Sequence, residues 1–384
     1  MGPLSGVRVV EMSNIGPAPF CGMLLADLGA DVLRVDRLVR GDLGFTFDNR
    51  MDILNRGKRA IAIDLKHPDG VASVRELASN ADILIEGFRP GVMEKLGLGP
   101  ELLLSDNPRL VYGRMTGWGQ EGSHAAMAGH DINYIGAAGA LASIGPKGGE
   151  PVPPLNLVGD FAGGSLYLAM GLLAALTEAM KSGKGQVIDA AMVDGVTNLM
   201  AMHIGFRQAG IWNIERGTNS VDGGAPYYTC YETSDGKFMA AGPVEHRFYK
   251  IMIEVLGLDL SALPNRDDPA CWDALKAILA RAFAAKTRDE WTEAFMGTDA
   301  CVTPVYDLDE APRSPLAKER SLYRDSDGVM TPTTAPHFSR TPCAPPGGTV
   351  DPAADTREAL LAWGMSESRV RALEEQGAVA SAEA

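Results

Sequence analysis

Short β-branched runs alternate with helical stretches along the first half of this chain, and that alternation leaves few folds open. Val7-Arg8-Val9-Val10-Glu11 has the length and residue type of a buried strand. Ala18 to Leu28 has helical periodicity and is followed by Gly29, a residue suited to close a helix. Val32 to Val35 then reads as a second strand. The order recurs with Ala60 to Leu65 as strand, Gly70 to Ser79 as helix and Ile83 to Glu86 as strand; further strands are expected at Leu110 to Met115 and Gln186 to Ala191. Consecutive strand–helix–strand units predict a parallel sheet with right-handed crossovers. A dinucleotide site is not expected. The turn after the first strand, Ser13-Asn14-Ile15-Gly16-Pro17-Ala18-Pro19, lacks the GxGxxG pattern.

Asp160 to Lys181 reads as the longest helix, with Asp160 as N-cap and Gly183 at its end. Val193 to Gln208 is apolar, Met-rich and helical in pattern, a connector between domains. The character changes near Gly217. Tyr227 to Thr233 and Lys237 to Ala241 flank Ser234-Asp235-Gly236, which predicts a hairpin. Helices are expected at Arg247 to Leu256, Trp272 to Ala284 and Arg288 to Phe295, and a short strand at Cys301 to Val305. The chain after about Ala311 is Pro-rich and reads as extended, before a charged helical tail from Thr356 to Gln376. The predicted class is α/β: a large Rossmann-like domain over 1–192 with a parallel sheet, a linker helix over 193–216, and a smaller α+β domain over 217–310.

With 384 residues, 46% of them hydrophobic, there is core enough for more than one domain. A net charge of −14 argues against nucleic acid or an anionic membrane as the main partner. The five cysteines are scattered without a CxxC pair, which points away from a disulfide framework or a zinc site and towards a reducing compartment. The first residues lack a basic-then-apolar leader. The longest apolar stretch, Leu166 to Leu176, is short for a bilayer, and Ala-Ser-Ala-Glu-Ala at the end is not a peroxisomal address. A soluble, cytoplasmic protein is expected.

Several residues stand out chemically. Arg37 follows Asp36 at the end of the second strand, where a basic group can meet a phosphate. Arg56-Gly57-Lys58-Arg59 and Asp64-Leu65-Lys66 put four cations into eleven residues, which reads equally as a phosphate cradle or a solvated loop. Gly87-Phe88-Arg89-Pro90-Gly91 follows a strand, at the sheet edge where ligands gather. His130 lies in the turn-like run Gly129-His130-Asp131-Ile132-Asn133-Tyr134, and histidine is suited to proton transfer near neutral pH. Asp160 sits in Asn156-Leu157-Val158-Gly159-Asp160-Phe161-Ala162-Gly163-Gly164. Capping alone would account for it, yet a helix N-terminus also stabilises negative charge. Gly163 and Gly164 would let a ligand approach the backbone. Glu245 precedes a helix, where a favourable dipole would explain it. Met192, Met200 and Met202 could form an adaptable apolar surface or plain core.

One set of short runs is specific by its order and spacing. It begins with Gly16-Pro17-Ala18-Pro19-Phe20, Leu25-Ala26-Asp27-Leu28-Gly29-Ala30, Asp64-Leu65-Lys66 and Arg89-Pro90-Gly91-Val92. It continues through Gly117-Trp118-Gly119-Gln120, Gly129 to Tyr134, Pro154 to Gly164, Gly183 to Asp194, Asp222 to Tyr228 and Asp299 to Val305. From Leu4 to about Ser339 the chain resembles α-methylacyl-CoA racemases, within the class III CoA-transferase (CaiB/BaiF) superfamily.

That resemblance implies an enzyme inverting C2 of a 2-methylacyl-CoA by proton transfer through an enolate, with no cofactor beyond the CoA of the substrate. It implies His130, Asp160 and Glu245 as acid/base residues. It implies CoA contacts at Arg37, at Ile63, Asp64, Leu65 and Lys66, at Gly87, Phe88 and Arg89, and along Gly129 and Asp131, Ile132, Asn133 and Tyr134. It also implies an interlocked homodimer, with residues 311–330 returning towards the large domain and 331–384 joining it. The runner-up is a family III CoA-transferase with an aspartate like Asp160 as nucleophile. There the position like His130 is usually aromatic, so His130 favours the racemase. A non-catalytic acyl-CoA-binding protein is a third reading. Two departures stand out: relatives often have Glu-Pro-Gln where this chain has Glu245-His246-Arg247, and Val39 to Asn49 looks longer than in some of them.

Overall fold

Six strands pair in parallel in the order β3-β2-β1-β4-β5-β6: β1 (Arg8–Met12), β2 (Asp31–Arg37), β3 (Arg59–Ile63), β4 (Ile83–Glu86), β5 (Val111–Thr116) and β6 (Val187–Ala191). The computed structural model describes residues 2–38, 48–326 and 328–380. The expected sequence strands are all present, with ends shifted by a residue or two. Adjacent strand residues point to opposite faces, and both faces of the inner strands are covered, so their runs are largely apolar rather than alternating. Val9, Val32 and Ile83 pack with Leu25 of α1 (Pro17–Asp27) and with Leu168 and Leu172 further along the chain. Val10, Leu33 and Leu84 pack on the other face with Leu77 of α2 (Pro68–Ser79) and with Leu360 and Leu373.

The strand order reverses between β1 and β4. In an open α/β sheet, the crevice beyond the C-terminal ends of such a pair is where ligands bind. Loops after β1, β4 and β5 meet there. The later elements of this half are α3 (Val92–Lys95), α4 (Pro100–Asp106), α5 (Asp131–Ala137), a π-helical segment Leu157–Leu166 that continues into α6 (Tyr167–Ser182), and α7 (Met192–Leu199).

The chain divides into two compact units: Met1–Ala138 with Leu155–Leu199 and Arg320–Ala384, and Gly139–Pro154 with Met200–Glu319. The second unit has the antiparallel sheet β7 (Thr229–Glu232), β8 (Phe238–Ala241) and β9 (Val302–Pro304). With it are α8 (Ala201–Gln208), α9 (His246–Val255), α10 (Trp272–Phe283) and α11 (Arg288–Phe295). Its core holds Met252, Leu275 and Trp291, with Tyr231 stacked on Phe283 at 4.8 Å.

Three local expectations change. The apolar stretch expected as one helix over 193–208 breaks at Met200, where the two units also divide. The Pro-rich stretch is not wholly extended: it contains α12 (Pro315–Arg320), opened by a proline where a helix has no need of an N–H, and a hairpin of β10 (Tyr323–Ser326) and β11 (Val329–Pro332). The charged tail is two helices, α13 (Pro352–Ala362) and α14 (Glu367–Glu375), parted at Gly364 with φ +92°. This tail seals the open edge of β3. Asp355 Oδ2 accepts from the Ala60 N–H at 2.8 Å, Thr356 Oγ1 from the Ala62 N–H at 2.9 Å, and the Ala378 carbonyl from the Asp64 N–H at 2.9 Å. Most of the segment Val39 to Asn49, read as longer than in relatives, lies outside the described residues.

The helix that begins at Leu157 runs unbroken to Ser182. At 26 residues it is long and apolar enough to cross a membrane by length and composition, which the apolar run read from the sequence was not. Leu166, Met170 and Met180 are exposed on it.

The basic run at 56–59 forms neither a phosphate cradle nor a solvated loop. Arg56 is buried and bonds Asp27 through Nη2 to Oδ2 at 2.6 Å, with both side chains 3% exposed. Lys58 is fully buried: its Nζ lies 2.8 Å from Glu11 Oε2 and donates at 2.9 Å to Glu11 Oε1, the Pro19 carbonyl and Asn55 Oδ1. Burial pushes the Glu11 carboxyl up and the Lys58 amine down, each opposed by the partner's charge. Gly22 is required beside this pair, since a Cβ there would fall 1.7 Å from Glu11 Oε2. Only Arg59, paired with Asp31 at 3.4 Å, stays near solvent. Removing one partner of such a buried pair strands the other charge. Lys58→Met is expected to destabilise the protein by about 3–5 kcal/mol in urea titrations, and Glu11→Leu with Lys58→Met to recover most of it. A single-variant loss under about 1 kcal/mol contradicts the assignment.

Candidate active site

A cavity of about 470 Å³ opens at the β1/β4 crevice. The loops after β1, β4 and β5 supply Gly16, Arg89 and Trp118 to its wall, and His130 and Asp160 line it together. Two residues thirty apart in sequence thus meet in one cavity.

The tie between them is Asp131. Its buried carboxylate accepts through Oδ2 from the N–H of Gly159 at 2.6 Å and of Asp160 at 2.8 Å. The residue next to His130 therefore grips the backbone of Asp160. Gly159 must be glycine for this approach, because a Cβ there would meet Asp131 Oδ2 at 2.5 Å. His130 itself is the exposed N-cap of α5, its N–H donating to Asn133 Oδ1 at 3.0 Å.

Asp160 is not the helix N-cap that its sequence position predicts. The π-helical segment starts at Leu157 with Asn156 as N-cap, and Asp160 lies within it. The helix-terminal N–H groups of Gly159 and Asp160 are already bonded to Asp131, so they are not the anion donors expected there. Gly163 and Gly164 do not face a ligand either. They are buried against α7 and α1: a Cβ at Gly163 would meet Val196 Cγ2 at 2.7 Å, and one at Gly164 would meet Met192 Cγ at 2.9 Å and Pro17 Cβ at 3.3 Å. Ser165 Oγ fastens the same turn to the Pro17 carbonyl at 2.7 Å. These contacts hold the wider π geometry, a form found often at functional sites.

Partial burial raises the Asp160 carboxyl above the ordinary aspartate range, and the charge of Asp131 adds to the rise. Asn156 Nδ2, donating to Asp160 Oδ2 at 3.0 Å, and the nearby His130 oppose it. Asn156 has a role that the sequence reading did not assign. Its spacing four residues before Asp160 is the signal, since i and i+4 share a helix face. Tyr134, buried and edge-on to Trp118 at 4.8 Å, also lines the cavity, and burial pushes its hydroxyl up to about 12.

The residues expected at CoA divide between two cavities. Gly87, Arg89, Gly129 and Tyr134 line the first. Arg37, Ile63, Asp64, Leu65 and Lys66 line a second, of about 560 Å³, and Phe88 borders both. Arg37 and Lys66 are exposed there, with no ion pair among the described residues. Ile132 and Asn133 are exposed on α5, while the Asp131 side chain is turned to the helix backbone. Met192 lines the first cavity and Met202 is exposed. Glu245 belongs to the second unit. It is the exposed N-cap of α9 and makes no side-chain capping bond. Its bulky neighbours are engaged within that unit: His246 Nε2 with Asp267 Oδ2 at 2.9 Å, and the Arg247 guanidinium 4.4 Å above the Phe248 ring.

A model of CoA-transferase family III matches residues 4–355. The chain is 47% identical to the α-methylacyl-CoA racemase of Mus musculus over 370 residues, 96% of this chain and 95% of that one. It is 47% identical to that of Homo sapiens over 343 residues, 89% and 88% of the two chains. A succinate–glutarate CoA-transferase of Agrobacterium fabrum is 32% identical, covering 86% of this chain and 87% of its own. Among solved structures, a CaiB/BaiF family protein from Brucella suis superposes with TM-score 0.78 at 27% identity, over 93% of this chain and 99% of that one.

Asp131→Asn is expected to lower the Asp160 pKa towards the usual aspartate value, by removing a neighbouring negative charge, and to speed hydrogen exchange at the Gly159 and Asp160 amides. Carboxyl-carbon and amide NMR check both; an unmoved Asp160 titration contradicts the coupling.

Proposed function

The chain belongs to CoA-transferase family III, and on that premise we propose that it inverts the C2 centre of 2-methylacyl-CoA thioesters by 1,1-proton transfer. The observation that carries this is the pairing of His130 with a carboxyl of raised pKa, Asp160, on the wall of one cavity. The C–H beside a thioester carbonyl is acidic because the electron pair it leaves delocalises onto the carbonyl oxygen. One group removes that proton, the planar enolate forms, and the other group delivers a proton to the opposite face. The C–H bond broken is replaced by a C–H bond made, with no net redox change and no cofactor beyond the substrate's CoA.

The roles follow from protonation. One of the pair must start as base and the other as acid. A raised pKa lets Asp160 keep a proton at a pH where an ordinary aspartate has lost it, while His130 is suited to accept one. The cavity holding Arg37 and Lys66 suits the phosphates of CoA, with Phe88 and Arg89 at the passage to the reacting end. Glu245 as the group that orients His130, and an interlocked homodimer, belong to the same proposal. The exposed Leu166, Met170 and Met180 on the long helix support a protein partner for that face. A cytoplasmic location and the absence of a membrane partner belong to the same proposal.

In heavy water, a single-enantiomer 2-methylacyl-CoA is expected to gain deuterium at C2 as it inverts. His130→Ala and Asp160→Ala should each lower inversion by about 10²-fold or more. Inversion without exchange overturns the reading, and transfer of CoA to an added carboxylic acid points instead to the transferase chemistry of the Agrobacterium relative. The direction that begins with Asp160 as base loses rate as pH falls through its raised pKa, and the opposite direction loses rate as pH rises. Sedimentation should give a dimer mass; a monomer contradicts the interlocked homodimer.

A further inference from the structure

Glu86 carries an unusual amount of structure for a residue that lines neither of these two cavities. It ends β4, with its side chain 1% exposed, immediately before the Gly87-Phe88-Arg89 turn. Its Oε2 accepts from the Phe88 N–H at 2.7 Å and its Oε1 from Arg114 Nε at 3.0 Å. Arg114 stands opposite it in the β4–β5 register. The same guanidinium reaches Glu94 Oε1 on α3 at 2.9 Å. One arginine therefore closes a clamp from residue 86 to residue 94. Inside the clamp lie Phe88, which borders both cavities, Arg89 in the first, and Gly91 with φ +82°.

We propose that Glu86 is a positioning residue for thioester binding, its carboxylate holding the turn that joins the two cavities in the conformation that accepts the ligand. This rests on the acyl-CoA reading of the site. β4 is otherwise apolar, and burying a carboxylate is unfavourable unless its oxygens find donors. Both donors found for Glu86 lie on or brace the ligand-bearing turn.

The network is poised to respond to pH. Burial pushes the Glu86 carboxyl up to about 7, against the pull of the Phe88 N–H and of Arg114. The charged and titratable groups around it are Arg114 and Tyr112 from β5 and Glu94 from α3, with Asp189 of β6 acting through Arg114. Above pH 7 the carboxylate holds both donors. Below it, the proton takes one acceptor site and removes the countercharge to Arg114, so the turn loosens and affinity falls.

Propionyl-CoA serves as the probe, having no stereocentre to invert. Titration calorimetry on the full-length wild type, Glu86→Gln and Glu86→Ala, at pH 6 and pH 8, reads the effect. Glu86→Ala should weaken binding by about tenfold or more, the equilibrium equivalent of one hydrogen bond to a charged group. Glu86→Gln, which keeps one acceptor and does not titrate, should weaken it less and lose the wild-type component of the pH dependence. The CoA phosphates titrate equally in all three proteins, so their contribution cancels in the comparison. Unchanged affinity in Glu86→Ala, or an undiminished pH dependence in a folded Glu86→Gln, overturns the proposal. Failure of the racemase reading shows separately, as wild type that binds propionyl-CoA yet exchanges no C2 proton of a 2-methylacyl-CoA.

Discussion

One carboxylate sets the distance on which the site depends. Asp131 follows His130 in the chain and bonds the backbone of Gly159 and Asp160, so an imidazole on one segment and a carboxyl on another become parts of a single rigid unit. The glycines around it serve that contact and the packing behind it. Gly159 admits the carboxylate, and Gly163 and Gly164 let the π-helical segment press against α7 and α1. Burial raises the Asp160 carboxyl above its ordinary range, and the same negative charge adds to the rise.

Burial sorts the charged residues of this acidic chain into two kinds. Lys58 and Arg56 lie under the sheet, each neutralised by a carboxylate and unable to meet a ligand. Arg37, Lys66 and Arg89 stay exposed at cavity walls. Arg114 is intermediate: it is buried and braced by Glu86 and Glu94, on either side of the Gly87-Phe88-Arg89 turn.

The sheet was legible because each strand is a short apolar run between turn residues, a pattern that a doubly covered parallel sheet requires. His130 and Asp160 were legible as residue types in Gly-containing runs, and family resemblance joined them. What the sequence concealed was pairing across distance. No local pattern at Arg56-Gly57-Lys58-Arg59 distinguishes cations meant for solvent from cations meant for Glu11 and Asp27, which lie up to 47 positions away. Nor does Asp160 announce that it sits inside a helix rather than at its cap, because that depends on where Asp131 takes the backbone N–H groups. The β10–β11 hairpin was hidden by the prolines around it, and Glu86 by its place at the end of an apolar strand.

The proposed inversion needs two groups acting on opposite faces of one carbon. A structure determined with a 2-methylacyl-CoA bound tests it most directly. C2 should lie between the His130 imidazole and the Asp160 carboxyl, each within reach of one face, with the CoA running past Phe88 towards Arg37 and Lys66. Both groups on the same face of C2, or a thioester lodged away from the β1/β4 crevice, would contradict it.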